Sequence, residues 1–186
     1  MKLMEKILSQ ENLEMAIRKV KQNKGAPGID RMTVQEIEYW FEKYQDELIT
    51  KIMNKQYRPM PVKRVYIPKP NGKQRPLGIP TVIDRVIQQA IAQVLSTIYE
   101  PIFSEHSFGF RPRRSAHMAM EEVLYYLNEG YEWIVDLDIE KFFDTVNHDK
   151  LISILREHVN DAATLHLIRA YLRAGVLEDG LIRSTT

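Results

Sequence analysis

There is no cysteine anywhere in the 186 residues. That excludes a disulfide framework and any thiolate metal site, and with nothing arguing for secretion it points to a reducing, cytoplasmic setting. No apolar run approaches the roughly 18 residues that a membrane span requires, and the opening stretch from Met1 to Gln10 reads as an amphipathic helix rather than a signal peptide. Net charge is equally scarce, since 26 basic and 25 acidic side chains leave only +1. Taken alone, that balance argues against a nucleic-acid binder. No period of 20 to 50 residues recurs, so repeat architectures are set aside. What remains, 44% hydrophobic and 27% charged residues, suffices for one sizeable core or for two small lobes sharing one.

The charges are sorted along the chain. From Lys51 to Ile83 there are eight basic residues (Lys51, Lys55, Arg58, Lys63, Arg64, Lys69, Lys73 and Arg75) and no acidic one. From Glu121 to Asp149 nine acidic residues stand against one lysine, Lys141. Such sorting lets a protein hold a polyanion on one lobe and cations on another. Two solvated faces of opposite sign are the alternative.

The periodicity predicts helix over Leu3 to Gln22, broken near Ser9 to Asn12. Gly25, Pro27 and Gly28 then impose a loop, and Asp30 or Thr33 is placed to cap a helix running to about Thr50. Val62 to Pro68 has strand composition, Asn71-Gly72 is a turn signal, and Arg75 to Ile79 returns as the partner strand. Ile83, Ile87, Ile91, Val94, Leu95 and Ile98 recur at helical spacing up to Pro101. A loop with three arginines and three phenylalanines, Phe103 to Ser115, precedes a helix over His117 to Leu127. Trp133 to Asp138 reads as a short strand, Asn147 caps a helix to about His158, and Ala162 to Arg173 forms another. The fold class is α+β: a basic lobe carrying a hairpin, then the beginning of a second lobe built on an acidic strand.

The chemistry concentrates around Val135-Asp-Leu-Asp138-Ile-Glu-Lys-Phe-Phe143. Alternation on a strand puts Trp133, Val135 and Leu137 on a buried face and Asp136 and Asp138 on the other. A carboxylate at the end of an apolar strand is costly to bury unpaired and should meet water, a base or a cation. Asp138 alone would read as a strand terminator or a cap. The hairpin adds cations: a loop of Asn71-Gly72 would set Lys69 against Gln74, whereas a three-residue loop through Lys73 would set Lys69 opposite Arg75 on one face. By the same parity Lys63 lies on the Lys69 face, suited to a nucleic-acid base or backbone, with Arg64 turned outward. Lys51, Lys55 and Arg58 are assigned to solvated surface. Phe142 is assigned to the core, Asp144 to a local cap, and His148 to no chemistry. Tyr57, Tyr66, Tyr99, Tyr125 and Tyr126 are read as core or interface residues.

Four segments in order, Gly25-Ala-Pro-Gly28-Ile-Asp30, Ile67-Pro-Lys-Pro-Asn-Gly-Lys-Gln-Arg-Pro-Leu-Gly-Ile-Pro80, Ser107-Phe-Gly-Phe-Arg-Pro112 and Asp138 to Phe143, resemble those of bacterial group II intron reverse transcriptases, or maturases. The resemblance covers essentially the whole chain. It implies the fingers lobe of a right-hand polymerase with the first part of a palm sheet: residues 1–100 as N-terminal extension and fingers, 101–186 as the remaining fingers segment and the start of the palm. It implies RNA-directed DNA synthesis by two Mg²⁺ ions. Asp138 is then a catalytic metal ligand and Ile139 a ligand through its carbonyl. Lys69 and Arg75 clamp the triphosphate, which requires them on one face, so the longer hairpin loop is expected. Phe143 matches the aromatic that rejects a 2′-hydroxyl; a core aromatic is its other reading. Arg111 matches a position along template and primer, beside Arg113 and Arg114, which solvent would equally suit. Gly25 and Gly28 match a loop over the template strand; a plain connector between helices is the alternative.

The implied partners are group II intron RNA, an RNA template, a DNA primer and deoxynucleoside triphosphates. The family's Tyr-x-Asp-Asp turn and the Pro-Gln-Gly segment before it do not occur, so the chain is expected to be a fragment that does not polymerise alone. Two other functions compete: an RNA-binding splicing lobe whose polymerase chemistry is secondary or lost, and an assembly module that forms a homodimer through exposed apolar surface.

Overall fold

The computed structural model describes residues 2–70 and 72–183. The turn residue Asn71 lies outside them. Two compact units emerge, Met1–Val94 with Phe143–Thr186 as unit 1 and Leu95–Phe142 as unit 2.

Unit 1 opens with α1 (Leu3–Ile7) and α2 (Gln10–Gln22). The predicted break falls at Ser9, whose side chain accepts a hydrogen bond from the Asn12 N–H and caps α2. Helix α3 (Ile37–Met53) begins later than the sequence suggested. Neither Asp30 nor Thr33 caps it: Asp30 Oδ1 accepts from the Met32 N–H, and the Thr33 hydroxyl and N–H both donate to the Glu36 carboxylate. These residues build their own turns first, as short polar side chains do. Helix α4 (Val82–Tyr99) follows the hairpin.

Leu13, Ala16 and Val20 of α2, Ile37, Phe41, Leu48 and Ile52 of α3, and Val82, Val86, Ile87, Ala90 and Val94 of α4 are all buried. Each large aliphatic among them contributes about 1.5–3 kcal/mol by leaving water. A polar bolt ties two of these helices together. Asn12, itself buried, donates to the carbonyls of Ile7 and Ala90 and accepts from Gln93, so its amide is satisfied on both its donor and its acceptor side without water.

Strands β1 (Val62–Pro68) and β2 (Gln74–Ile79) pair antiparallel, with Ile67 opposite Arg75 and Pro68 opposite Gln74. The Lys69 N–H donates to the Lys73 carbonyl at 2.7 Å. The loop is thus three residues long, as expected, but spans 70–72 rather than 71–73. Lys69 therefore faces Lys73, not Arg75. Parity is unchanged by that shift of one residue on each side, and Lys69 and Arg75 remain diagonal neighbours on one face.

Toward the end of the described chain, α6 (Phe142–Thr145), α7 (His148–His158) and α8 (Ala162–Leu172) precede two strands that the sequence pattern does not announce, β3 (Val176–Glu178) and β4 (Leu181–Arg183). The order in the sheet is β2-β1-β3-β4, and β1 and β3 run parallel. The β3–β4 turn has Asp179 at φ 51° and Gly180 at φ 78°, the left-handed pair that a two-residue hairpin demands. Asp161 caps α8 and reaches back to the N-terminus, where its Oδ2 accepts from the Met4 N–H at 2.7 Å.

Unit 2 contains the last turn of α4, from Leu95, and α5 (Ala116–Asn128), N-capped by Ser115, with irregular chain between and after them. The strand expected over Trp133 to Asp138 is not formed. Trp133, Val135 and Leu137 are 95%, 80% and 88% exposed instead of buried. A strand needs a hydrogen-bonding neighbour, and among the described residues the only sheet is that of unit 1. Phe142, Tyr66, Tyr125 and Tyr126 are likewise exposed and not core, although Tyr57 is largely buried. Among the described residues no helix is long and apolar enough to cross a membrane.

Candidate nucleic-acid interface

Register decides which hairpin side chains meet. Directly paired residues share a face and successive residues alternate, so Lys63, Val65, Ile67 and Lys69 lie with Arg75, Leu77 and Ile79 on one side of the ribbon. Arg64 and Tyr66 lie on the other. Ile67 and Leu77 stay half exposed between the cations. Among the described residues none of Lys63, Lys69 or Arg75 has a carboxylate within ion-pair distance. The face is a cationic strip with an apolar floor, which suits phosphates along its edges and a base or sugar on its middle.

A buried carboxylate fixes the base of this ribbon. Asp84, 1% exposed at the start of α4, accepts from the Tyr57 hydroxyl at 2.6 Å, the Thr81 hydroxyl at 2.7 Å and the Met60 N–H at 3.2 Å. Met60 precedes β1 and Thr81 follows β2, so one side chain holds both ends of the hairpin. Burial, and then the neighbouring Asp84 charge, pushes the Tyr57 hydroxyl far above its ordinary range, so it stays a donor. Sequence reasoning misses Asp84. An aspartate three residues after Thr81 at the start of a helix is the signal that could have found it.

The loop holding Gly25 and Gly28 is pressed onto the same helix start. Arg85 Nη2 donates to the Ala26 carbonyl at 2.8 Å. A Cβ at Gly28 would lie 2.7 Å from the Thr81 backbone, and one at Gly25 2.2 Å from Arg85 Nη1. Gly28 is therefore needed for close approach to backbone, whereas at Gly25 the neighbour is the tip of a flexible side chain; the loop lies beside the hairpin's exit.

In unit 2 the arginine-rich loop is organised around one side chain. Arg111, whose side chain is 7% exposed, donates to the Glu100 carboxylate at 3.0 Å and to the carbonyls of Ser104 and Ser107 at 2.6 and 2.8 Å. Its guanidinium also lies over the Phe103 ring. The planar fork is thus spent inside its own loop. Glu100, eleven residues upstream, is the partner that claims it. Arg114 lies over the Phe108 ring at 5.7 Å, while Phe110 at φ 56° is fully exposed.

Asp138, Ile139 and Phe143 fall in exposed chain, and Phe143 is 89% exposed rather than a core aromatic. Asp144 lies within the short helix α6, and His148 opens α7. Asp138 is a hard oxygen donor open to solvent, as a divalent cation requires. Among the described residues, however, no three His, Asp or Glu side chains converge.

Comparison with known proteins bears on this arrangement. The family described as "Reverse transcriptase (RNA-dependent DNA polymerase)" matches residues 67–185. The chain belongs to that family. It is 35% identical to "Protein YkfC" of Escherichia coli (strain K12) over all of its own length and 50% of that protein's. It is 41% identical to "Group II intron-encoded protein LtrA" of Lactococcus lactis subsp. cremoris, over 73% of the chain and 23% of the relative. The chain thus spans half or less of the length of these relatives. The resemblance to group II intron reverse transcriptases and maturases drawn from the motifs is borne out. A reverse-transcriptase-containing assembly, "Cas6-RT-Cas1--Cas2 complex", superposes with TM-score 0.63 at 22% identity, over 99% of the chain and 19% of that one. That match supports the α+β polymerase-lobe fold. The family as a whole works with divalent metal ions.

Proposed function

We propose that the chain is the nucleic-acid and nucleotide-gripping part of an RNA-directed DNA polymerase of the group II intron class, with residues 1–100 as N-terminal extension and fingers and 101–186 as the remaining fingers segment and the start of a palm. The observation that carries this reading is the carboxylate-free cationic face of the hairpin, in a chain of the reverse transcriptase family. On it Lys69 and Arg75 bind the phosphates of an incoming deoxynucleoside triphosphate, and Lys63 touches the template. The Gly25–Gly28 loop lies along the template, and Phe143 excludes a 2′-hydroxyl. Arg111 acts on RNA through the shape of its loop, leaving Arg113 and Arg114 to meet phosphates.

Asp138, with the Ile139 carbonyl, would hold Mg²⁺ together with carboxylates that the described residues do not supply. When bound, that ion stabilises charge on the reacting oxygens. The partners in this reading are intron RNA, an RNA template, a DNA primer and deoxynucleotides, in the cytoplasm. A second reading, an RNA-splicing lobe with polymerase chemistry secondary, is favoured by the 35% identity to "Nuclear intron maturase 2, mitochondrial" of Arabidopsis thaliana over 106 residues.

Two measurements test the proposal. Affinity for structured RNA should fall steeply with salt, and neutralising Lys63, Lys69 and Arg75 together to glutamine should flatten the log–log slope by about 0.7–0.9 for each phosphate no longer neutralised. A slope that is flat from the outset would overturn it. The purified chain should give no primer extension with Mg²⁺ and deoxynucleotides; detectable extension would show that the metal site is complete after all.

A further inference from the structure

The basic run from Lys51 contains cations that the hairpin does not use. Two of them, Lys51 and Arg58, line a cleft of unit 1, a hollow of about 550 Å³ between α3, the α3–β1 connection and the start of α4. Its wall on α3 is aromatic: Trp40 and Tyr44 sit one turn apart with ring centroids 5.4 Å from each other. Asp30 and Glu47 line it as well, as does Asp84, whose carboxylate is already engaged by Tyr57, Thr81 and Met60.

We propose that this cleft binds a single unpaired nucleotide of RNA, its base stacked on the Trp40–Tyr44 wall and its phosphate between Lys51 and Arg58. The inference rests on the reading of the chain as an RNA-binding lobe, but uses a surface separate from the hairpin face. Volume is the first argument, since the hollow lies within the range of ordinary small-ligand pockets. Charge is the second. Arg58 Nη1 donates to the Lys55 and Tyr57 carbonyls at 2.9 and 3.2 Å, which orients the guanidinium and leaves Nε and Nη2 without a partner among the described residues. Lys51 is paired with Glu47 at 2.6 Å, but both are more than half exposed. A pair so exposed is worth little, and a phosphate competes with it readily. The third argument is the combination. An apolar peptide would leave two cations unused and an acidic peptide would leave the rings unused, whereas an aromatic wall with flanking cations is how proteins hold unpaired nucleotides. Asp30 and Glu47 supply acceptors for the N–H groups of a base.

The sequence provides the reporter. Its two tryptophans are Trp40 and Trp133, and Trp133 is 95% exposed, so Trp133→Phe leaves Trp40 as sole emitter at little cost to the fold. Titration of this variant with a five-residue single-stranded oligoribonucleotide at low salt should quench its fluorescence saturably. Arg58→Gln should weaken the half-saturation point about tenfold and Lys51→Gln severalfold, while Lys19→Gln, at an exposed position of α2, should leave it unchanged. Both pocket cations are exposed, and circular dichroism would verify that their variants stay folded. Labelled oligonucleotide that binds by anisotropy without altering Trp40 emission would overturn the pocket and leave the hairpin reading intact. So would quenching that is indifferent to Arg58→Gln, or equal quenching by a phosphate-free nucleoside. No salt-dependent RNA binding of any kind would sink both readings together.

Discussion

The two units are built on opposite principles. Unit 1 has a dry aliphatic core and a few fully satisfied buried polar groups, notably Asn12 and Asp84. Unit 2 has one buried arginine clasp and a helix, α5, with no buried residue at all. Apolar burial is diffuse and tolerant, whereas a clasp concentrates order in a single group whose removal nothing else offsets. The cationic hairpin stands on the first kind of support and the acidic segment on neither.

The sharpest way to break that contrast is a pair of truncations. Ile87→Ala, at a fully buried site, should destabilise the cooperative unfolding of unit 1 by about 2–5 kcal/mol in urea. Leu124→Ala on α5, where the side chain is 54% exposed, should stay within about 0.5 kcal/mol. Equal effects would mean that α5 is covered in solution. Next comes the clasp: Arg111→Ala strands the Glu100 carboxylate and should cost about 3 kcal/mol, felt as faster amide exchange across residues 100–115 with unit 1 unchanged. Arg111→Lys should recover only part, because an ammonium cannot span the same acceptors.

A third pair concerns glycines. Gly28→Ala would drive a methyl into the Thr81 backbone and should cost about 1–3 kcal/mol, while Gly109→Ala, with nothing within 4 Å, should be silent. The smallest effect is a pH dependence. Burial alone would raise the Asp161 pKa, but hydrogen bonds from the Met4 N–H, the Thr164 hydroxyl and the Ala163 N–H outweigh it and hold the carboxyl below its usual value of 3.8. A lowered folded pKa means stability that is present above the ordinary range and disappears as pH falls through it. Amide exchange of α1 should therefore accelerate below about pH 4 in the wild type, and Asp161→Asn should abolish that step.

What the sequence makes legible follows the same division. The helices, the Ser9 break, β1 to its terminal residues and the Asn147 cap can be read because each rests on local periodicity or a local cap. The start of α3 is misplaced because Asp30 and Thr33 satisfy nearer backbone groups. The hairpin face is read correctly although the loop slides by one residue, since parity survives the slide. The β3–β4 hairpin escapes notice despite its Asp179-Gly180 signal, and its parallel pairing with β1 has no local trace at all. Burial of Trp133, Val135 and Leu137 is inferred from alternation, which reports a capacity to pack and says nothing of whether a neighbour is there to receive it. Arg111 is placed by type and motif, but only the fold reveals that Glu100 and two carbonyls claim its donors.

The parallel pairing of Val62 with Val176 has a consequence for biosynthesis. While a ribosome makes the intervening stretch, on the order of ten seconds at roughly 5–20 residues per second, the β1 edge waits with its backbone groups unmatched. The hairpin can close early from its own turn, whereas the sheet is finished only when the last strands arrive, so a nascent chain carries an open ribbon edge as its most aggregation-sensitive feature.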